Sequence, residues 1–251
     1  MKIFIATSLS ILCLPLFVFA QEIAPEKTED WSNKPPVVKP GEGGKAPSDA
    51  LILFANDNDL AKWEGVKGEV AAWSVKSNVL QIIKDAGDIQ TKQKFGSIQL
   101  HIEWMTPDRS EDKGTSRGNS GVFFMGLYEL QIYESYNYET ILYYNGVAGS
   151  IYKQHAPLVN ACRPPGVWQS FDVVFDAPMF NDDKTLKSPA YMTVFHNGVL
   201  IQHHVALKGP MVYAGYPEYS WHERKLPLRL QEHDSRVSFR NIWVRELSSA
   251  N

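Results

Sequence analysis

From residue 48 onward, apolar and polar positions alternate with a period of two over several short stretches. Ser97 to Met105 (SIQLHIEWM), Tyr128 to Tyr136 and Ser238 to Leu247 (SFRNIWVREL) each read as a half-buried strand. Asp172 to Phe175 and Tyr191 to Phe195 are rich in β-branched and aromatic residues, which suit a pleated surface. Asn197-Gly198 separates Tyr191–His196 from Val199–Ala206 and is the dipeptide of a tight two-residue hairpin. About ten to twelve strands are expected in all. No amphipathic helix of ten residues or more is visible, only a short helical turn at Asp57 to Trp63 for which Asp57 is the expected cap. Many short strands without strand–helix–strand alternation predict one all-β domain, residues 48–251, built as a sandwich or barrel.

Upstream the pattern changes twice. Residues 1–20 (MKIFIATSLSILCLPLFVFA) combine Lys2, an apolar run and Val18-Phe19-Ala20, the layout of a cleaved export signal. This predicts a periplasmic or secreted protein with no membrane span after cleavage. A retained transmembrane anchor is the competing reading of the same run, and Pro15 and Ala20 argue for cleavage. Residues 21–47 hold five prolines and three glycines among charged residues, and such a composition reads as a flexible linker.

Composition removes several function classes. The formal net charge is −3 and no basic cluster stands out, which argues against a nucleic-acid partner. Of the two cysteines, Cys13 lies in the leader, so Cys162 has no partner for an internal disulfide or a Cys-x-x-Cys zinc site. No HxxxH or HxH spacing points to a metal, and no G-x-S-x-G signals a nucleophilic serine. Nothing in the chain fixes an oligomeric state.

The most informative stretch is Arg117 to Tyr136 (RGNSGVFFMGLYELQIYESY). Along its second strand Glu129, Gln131 and Tyr133 share one face, while Leu130 and Ile132 share the other. Glu134 falls by parity with the apolar set, where an unpaired carboxylate is costly. A β-bulge would re-aim it and gather Glu129, Gln131 and Glu134 on one concave face. A plain strand with a solvated polar side gives the same pattern. His155 and His233 sit near strand ends among polar neighbours that suit a general base. His101, His203 and His204 lie inside strands and read as ordinary strand residues. Arg163, in a proline-bearing loop, is a candidate for orienting a substrate oxygen. Trp168, Trp104, Tyr152 and Tyr133 are candidates for stacking on sugar faces. Asn119, Lys153 and Gln231 complete the polar set expected around the substrate.

Several segments together resemble one family. They are Asn119–Phe124 (NSGVFF), Tyr128–Tyr136 (YELQIYESY), Gly149–Ala161 (GSIYKQHAPLVNA), Pro165–Asp172 (PGVWQSFD), Val194–Leu200 (VFHNGVL) and Leu226–Arg245. In this order they resemble the 3-keto-disaccharide hydrolase family over nearly all of residues 50–248. The resemblance implies a two-sheet antiparallel sandwich, a jelly roll similar to concanavalin A-like lectins and glucanases. The Glu129–Gln131–Glu134 spacing is also similar to the E-x-D-x-x-E signature of laminarinase-type glucanases, but Gln131 replaces the middle acid. That departure makes ordinary two-carboxylate hydrolysis doubtful.

What the family name implies is a carbohydrate substrate whose C3 is a ketone, with no cofactor called for. The ketone acidifies the C2 proton, so the glycosidic bond can leave by elimination followed by hydration. Such a route needs a base, an enolate stabiliser and an acid. His155 or His233 would be the base, with His155 preferred; Arg163 or Lys153 the stabiliser; Glu129 or Glu134 the acid. Direct hydrolysis by the two glutamates is the alternative route, and a non-catalytic lectin-like module is the alternative class.

Overall fold

The computed structural model describes residues 23–108, 117–137 and 143–247. The expected leader, residues 1–20, lies outside the described residues. Contacts divide the chain at Val38. In the first part, residues 23–37 contain one 3-10 turn, Pro25–Thr28, and a largely exposed Trp31.

In the second part the strands among the described residues are short, as the spacing of turn residues predicts. They are β1 (Leu51–Phe54), β2 (Trp63–Gly65), β3 (Ser74–Lys76), β4 (Val79–Gln81), β5 (Ile89–Phe95), β6 (Ile98–Met105), β7 (Ser120–Phe124) and β8 (Tyr128–Ile132). There follow β9 (Gln169–Asp176), β10 (Met179–Phe180), β11 (Leu186–Ser188), β12 (Tyr191–His196), β13 (Val199–Ala206), β14 (Leu226–Leu230) and β15 (Ser238–Glu246). Asn197 and Gly198 both take positive φ, 52° and 81°, the backbone a type I′ hairpin between β12 and β13 requires. The turn at Asp57–Lys62 is capped by Asn56 rather than Asp57. The Asn56 side chain accepts from the Asn58 N–H, and Asp59 reaches back to the Asn56 N–H.

All strand pairs are antiparallel. An eight-stranded sheet runs β13-β12-β9-β6-β15-β4-β3, with β1 also on β15, and a five-stranded sheet runs β2-β5-β14-β7-β8. Alternate residues of both sheets point inward: Ile98, Leu100, Ile102 and Trp104 of β6, and Phe171, Val173 and Phe175 of β9, against Val122, Phe124, Leu130 and Leu228. Phe124 and Phe175 meet across the layer, ring centroids 4.9 Å apart. Fully burying each such side chain stabilises the sandwich by about 1.5–3 kcal/mol. The fold is therefore an all-β, two-sheet antiparallel sandwich. Among the described residues no helix is long and apolar enough to cross a membrane.

One boundary moves. The folded unit begins at Val38, not at residue 48, because the Pro/Gly-rich segment 38–47 is strapped across the outer face of the eight-stranded sheet. Lys39 and Ser48 exchange hydrogen bonds of 3.0 Å, and the Gly44 carbonyl accepts from Asn241 Nδ2 (2.9 Å) and Trp243 Nε1 (3.1 Å). Composition flagged a chain unable to bury apolar surface. The strap is held instead by its backbone polar groups, which composition does not count.

Candidate active site

The outer face of the five-stranded sheet is laid down by register. Glu129 on β8 stands opposite Phe123 on β7, Phe123 opposite Arg229 on β14, Arg229 opposite Gln90 on β5, and Gln90 opposite Glu64 on β2. One step along, Gln131 stands opposite Gly121, whose carbonyl accepts from the Gln231 N–H at 3.0 Å. These residues alternate with the core positions Leu130, Val122 and Leu230, so they face away from the core. Phe123 is fully buried yet lies outside the core cluster; the Arg229 guanidinium covers its ring at 4.0 Å.

Glu129 is 4% exposed. Burial pushes its carboxyl up to about 8; the Arg229 charge pulls it down and Asp88 adds to the rise. At neutral pH it is a protonated acid. Gly121 makes room for it, since a Cβ there would lie 2.5 Å from Glu129 Oε1 and 2.8 Å from the Phe123 ring. Gln131 is buried and held, its Nε2 donating to Asn119 Oδ1 (2.8 Å) and to the Ile132 carbonyl (2.9 Å). Arg229 Nη1 lies 3.5 Å from Asp88 Oδ2, and its buried Nε has no hydrogen-bond partner among the described residues.

The wall beside β8 is an irregular edge, residues 149–155. The Gly149 N–H donates to the Gln131 carbonyl (2.9 Å), and the Tyr152 N–H to the Glu129 carbonyl (3.4 Å). Tyr152 pairs through its hydroxyl with Tyr143 (2.9 Å), and burial, first among several causes, raises its phenol well above the usual range. Lys153 donates to the Tyr213 carbonyl and stands 4.3 Å over that residue's ring, with the Tyr152 and Tyr143 rings at 5.4 and 5.8 Å. Among the described residues no group of three His, Cys, Asp or Glu side chains could hold a metal ion.

The other expected site residues divide. Gln131, bonded to Asn119, shares the outer face with Glu129; Tyr152 is tied to the Glu129 carbonyl through its N–H, and Lys153 stands over the Tyr152 ring. Gln231 extends the row at the end of β14, exposed His233 follows it in the turn, and half-buried Tyr133 follows β8.

Glu134 does not join them. The β7–β8 register runs without a shift and β8 ends at Ile132, so the bulge is absent. Its N–H donates to the Arg117 carbonyl (2.8 Å), its carboxylate accepts from the Tyr136 N–H (3.1 Å), and Arg117 Nη2 stands 3.8 Å away. Gly118 sits between Glu134 and Thr106, a residue just past β6 of the opposite sheet. That is the side parity assigned to Glu134, with the desolvation cost offset by local donors.

His155 also lies elsewhere. It bridges Ile151, which bridges the core-facing Leu130, and its Nε2 meets the Ala206 carbonyl at the end of β13 (2.9 Å). Arg163 and Trp168 line a cavity on the outer face of the other sheet. Trp104 is wholly buried in the core. Burial pushes the Cys162 thiol up to about 12, which removes it as a nucleophile at neutral pH.

Arg229, Phe123 and Asp88 were not among the expected residues. Alternation in Leu226–Gln231 (LPLRLQ) puts Arg229 on the same face as Gln231, a signal available in the sequence. Asp88 carries none, because its place depends on long-range register.

A two-sheet sandwich that sets a buried acid, an arginine, amides and tyrosines into one outer face is built to handle a polar, hydroxyl-rich ligand, and this is the class of carbohydrate-active proteins. Residues 50–245 match the family described as the 3-keto-alpha-glucoside-1,2-lyase-like domain, and the chain belongs to this 3-keto-disaccharide hydrolase family. It is similar to a crystal structure from Parabacteroides distasonis ATCC 8503 named a "putative glycosyl hydrolase". The identity is 44%, the match covers 90% of this chain and 97% of that one, and the TM-score is 0.81. Two further crystal structures of the same name and organism share the fold. One has 19% identity, coverage of 80% and 94%, and a TM-score of 0.59; the other has 21%, 79% and 99%, and 0.54. No curated protein matches the chain.

Proposed function

We propose that the protein is a glycoside-cleaving enzyme for 3-keto-glycosides, working by elimination and hydration on the outer face of the five-stranded sheet. The observation that carries the reading is Glu129, a carboxyl held protonated near neutral pH on the face that also carries Arg229, with Tyr152 on the adjoining edge. The family's description as lyase-like supports the same chemistry. A lectin has no use for such an acid, because stacking and amide contacts suffice to bind sugar.

A base takes the C2 proton, and the C2–H electrons move into an enolate whose charge rests on the C3 oxygen. Arg229, in place of Arg163, faces that oxygen. The enolate then re-forms the C3 ketone, makes the C1–C2 double bond and breaks C1–O. Glu129 hands its proton to the departing oxygen. Water adds at C1 and a proton returns to C2, giving the 3-keto sugar. His233 is the assigned base, because it follows Arg229 and Gln231 off the same strand while His155 lies against β13. Gln131 and Asn119 position hydroxyls. On residues 1–20, export belongs to the proposal; intact Met1 on cell-retained protein would contradict that part.

The test pairs a 3-keto-glucoside with its unoxidised parent in deuterium oxide. Cleavage of the keto substrate alone, with deuterium appearing at C2, is expected. Equal cleavage of both substrates, or cleavage with no exchange and no C2 isotope effect, would overturn the mechanism.

A further inference from the structure

A wide cavity lies on the opposite side of the sandwich from Glu129. It measures about 810 Å³, and its floor is the outer face of β6, β9 and β15, with the strap 38–47 along one side. A bare anion would leave such a volume mostly empty, whereas pockets of ~300–1,000 Å³ suit small organic ligands.

Its floor is charged, ordered and covered. His101, 5% exposed, is fixed by Asp172 at 2.6 Å through Nδ1 and by Trp243, stacked at 5.3 Å and 14°. Glu103 accepts from Arg240 Nε (2.6 Å) and Asn241 Nδ2 (2.9 Å). The Arg240 guanidinium lies over the Trp168 ring at 4.1 Å. Arg245 is matched by Asp49, outside the cavity. That leaves Arg163 and Lys45, both lining the cavity and neither with a carboxylate partner among the described residues. In a chain of net charge −3, this is a concentration of positive charge. Around it stand oxygens and amides that accept from and donate to hydroxyls: Gln99, Ser170, Asp172 and Glu103.

We propose that this cavity is a second saccharide site, separate from the cleavage site, and that it takes a sugar bearing a carboxylate. Arg163 and Lys45 face the carboxylate, and the Glu103–Asp172 side of the floor takes the ring hydroxyls. Charge-assisted pairs to a carboxylate are about twice as strong as neutral ones, so the acid group decides affinity. The site needs neither the ketone nor Glu129.

The experiment is equilibrium binding of a glucuronate-containing disaccharide and its neutral glucose counterpart to the full chain, with Arg163→Gln and Glu129→Gln as variants. Arg163 is exposed and its side chain's single hydrogen bond goes to the Trp168 carbonyl, so the first variant keeps the fold. The acidic disaccharide should bind about tenfold or more tightly than the neutral one. Arg163→Gln should remove most of that difference, rising ionic strength should shrink it, and Glu129→Gln should leave it in place. Equal binding of the two sugars would overturn the proposal, as would loss of binding in Glu129→Gln or indifference to Arg163→Gln. Competition by inorganic phosphate as strong as by the acidic disaccharide would mean a bare-anion site and would also overturn it.

Discussion

The outer faces of the two sheets each set a glutamate near an arginine, yet the two carboxyls are driven in opposite directions. On the five-stranded sheet, burial dominates around Glu129 and raises it to about 8, with Arg229 too weakly engaged to reverse the shift. On the eight-stranded sheet, burial also works to raise Glu103, but hydrogen bonds from Asn241 and Arg240 outweigh it and hold the carboxyl below its usual value. Direct donors therefore decide the ionisation state, not proximity to a positive charge. One face keeps a proton to give away; the other keeps a fixed anion that can only accept.

The largest effect expected from this contrast is catalytic. Glu129→Gln should lower turnover of a 3-keto-glucoside by about 10²–10⁴-fold at neutral pH with the fold intact, while Glu103→Gln should not touch the chemical step. Steady-state rates on both variants check it. Equal losses would erase the distinction between the faces.

Stability should then move with opposite sign. The raised carboxyl of Glu129 costs nothing below its unfolded value near 4.5, and its penalty grows as pH rises toward 8. Glu129→Gln should accordingly be more stable than the parent above about pH 5, by roughly 3–5 kcal/mol near pH 8, and equal to it at pH 4. Glu103, held low, contributes stability above its unfolded value that is lost as pH falls. Glu103→Gln should be destabilised at neutral pH by about 1–3 kcal/mol, converging with the parent in acid. Denaturant titrations at several pH values give both curves, and parallel curves would contradict the contrast.

Gly121→Ala sharpens the Glu129 side. A Cβ 2.5 Å from Oε1 must displace the carboxyl or the Phe123 ring, at a cost of about 1–3 kcal/mol, with slowed cleavage. The smallest effect belongs to Tyr152→Phe, which removes the hydroxyl pairing with Tyr143 and should cost about 0.5–1.5 kcal/mol in thermal or denaturant unfolding.

Much of this was legible in the chain where period-two alternation runs on. Glu129 and Gln131 share a face because the side-chain period is two, and the β12–β13 hairpin follows from Asn197-Gly198. Parity alone placed Glu134 on the apolar side, where the structure has it; the expected bulge is what failed, because β8 ends before Glu134. Nothing in Ile132-Tyr133-Glu134-Ser135 announces that β8 ends, so Glu134 read as a site residue needing a bulge. His155 and Arg163 sit in loops whose destinations depend on contacts remote in sequence. His101 read as an ordinary strand residue because its partner Asp172 is 71 positions away. The strap misread as linker shows the same limit, since its partners Asn241 and Trp243 lie at the other end of the chain.

The mechanism turns on Glu129 holding its proton at neutral pH, and its carboxyl can be watched directly. With ¹³C-labelled glutamate, the carboxyl signal absent from Glu129→Gln is assigned to Glu129 and followed from pH 4 to pH 10. A transition near pH 8 is expected. A transition below about pH 6 would show an ionised Glu129 at neutral pH and would contradict its role as the acid.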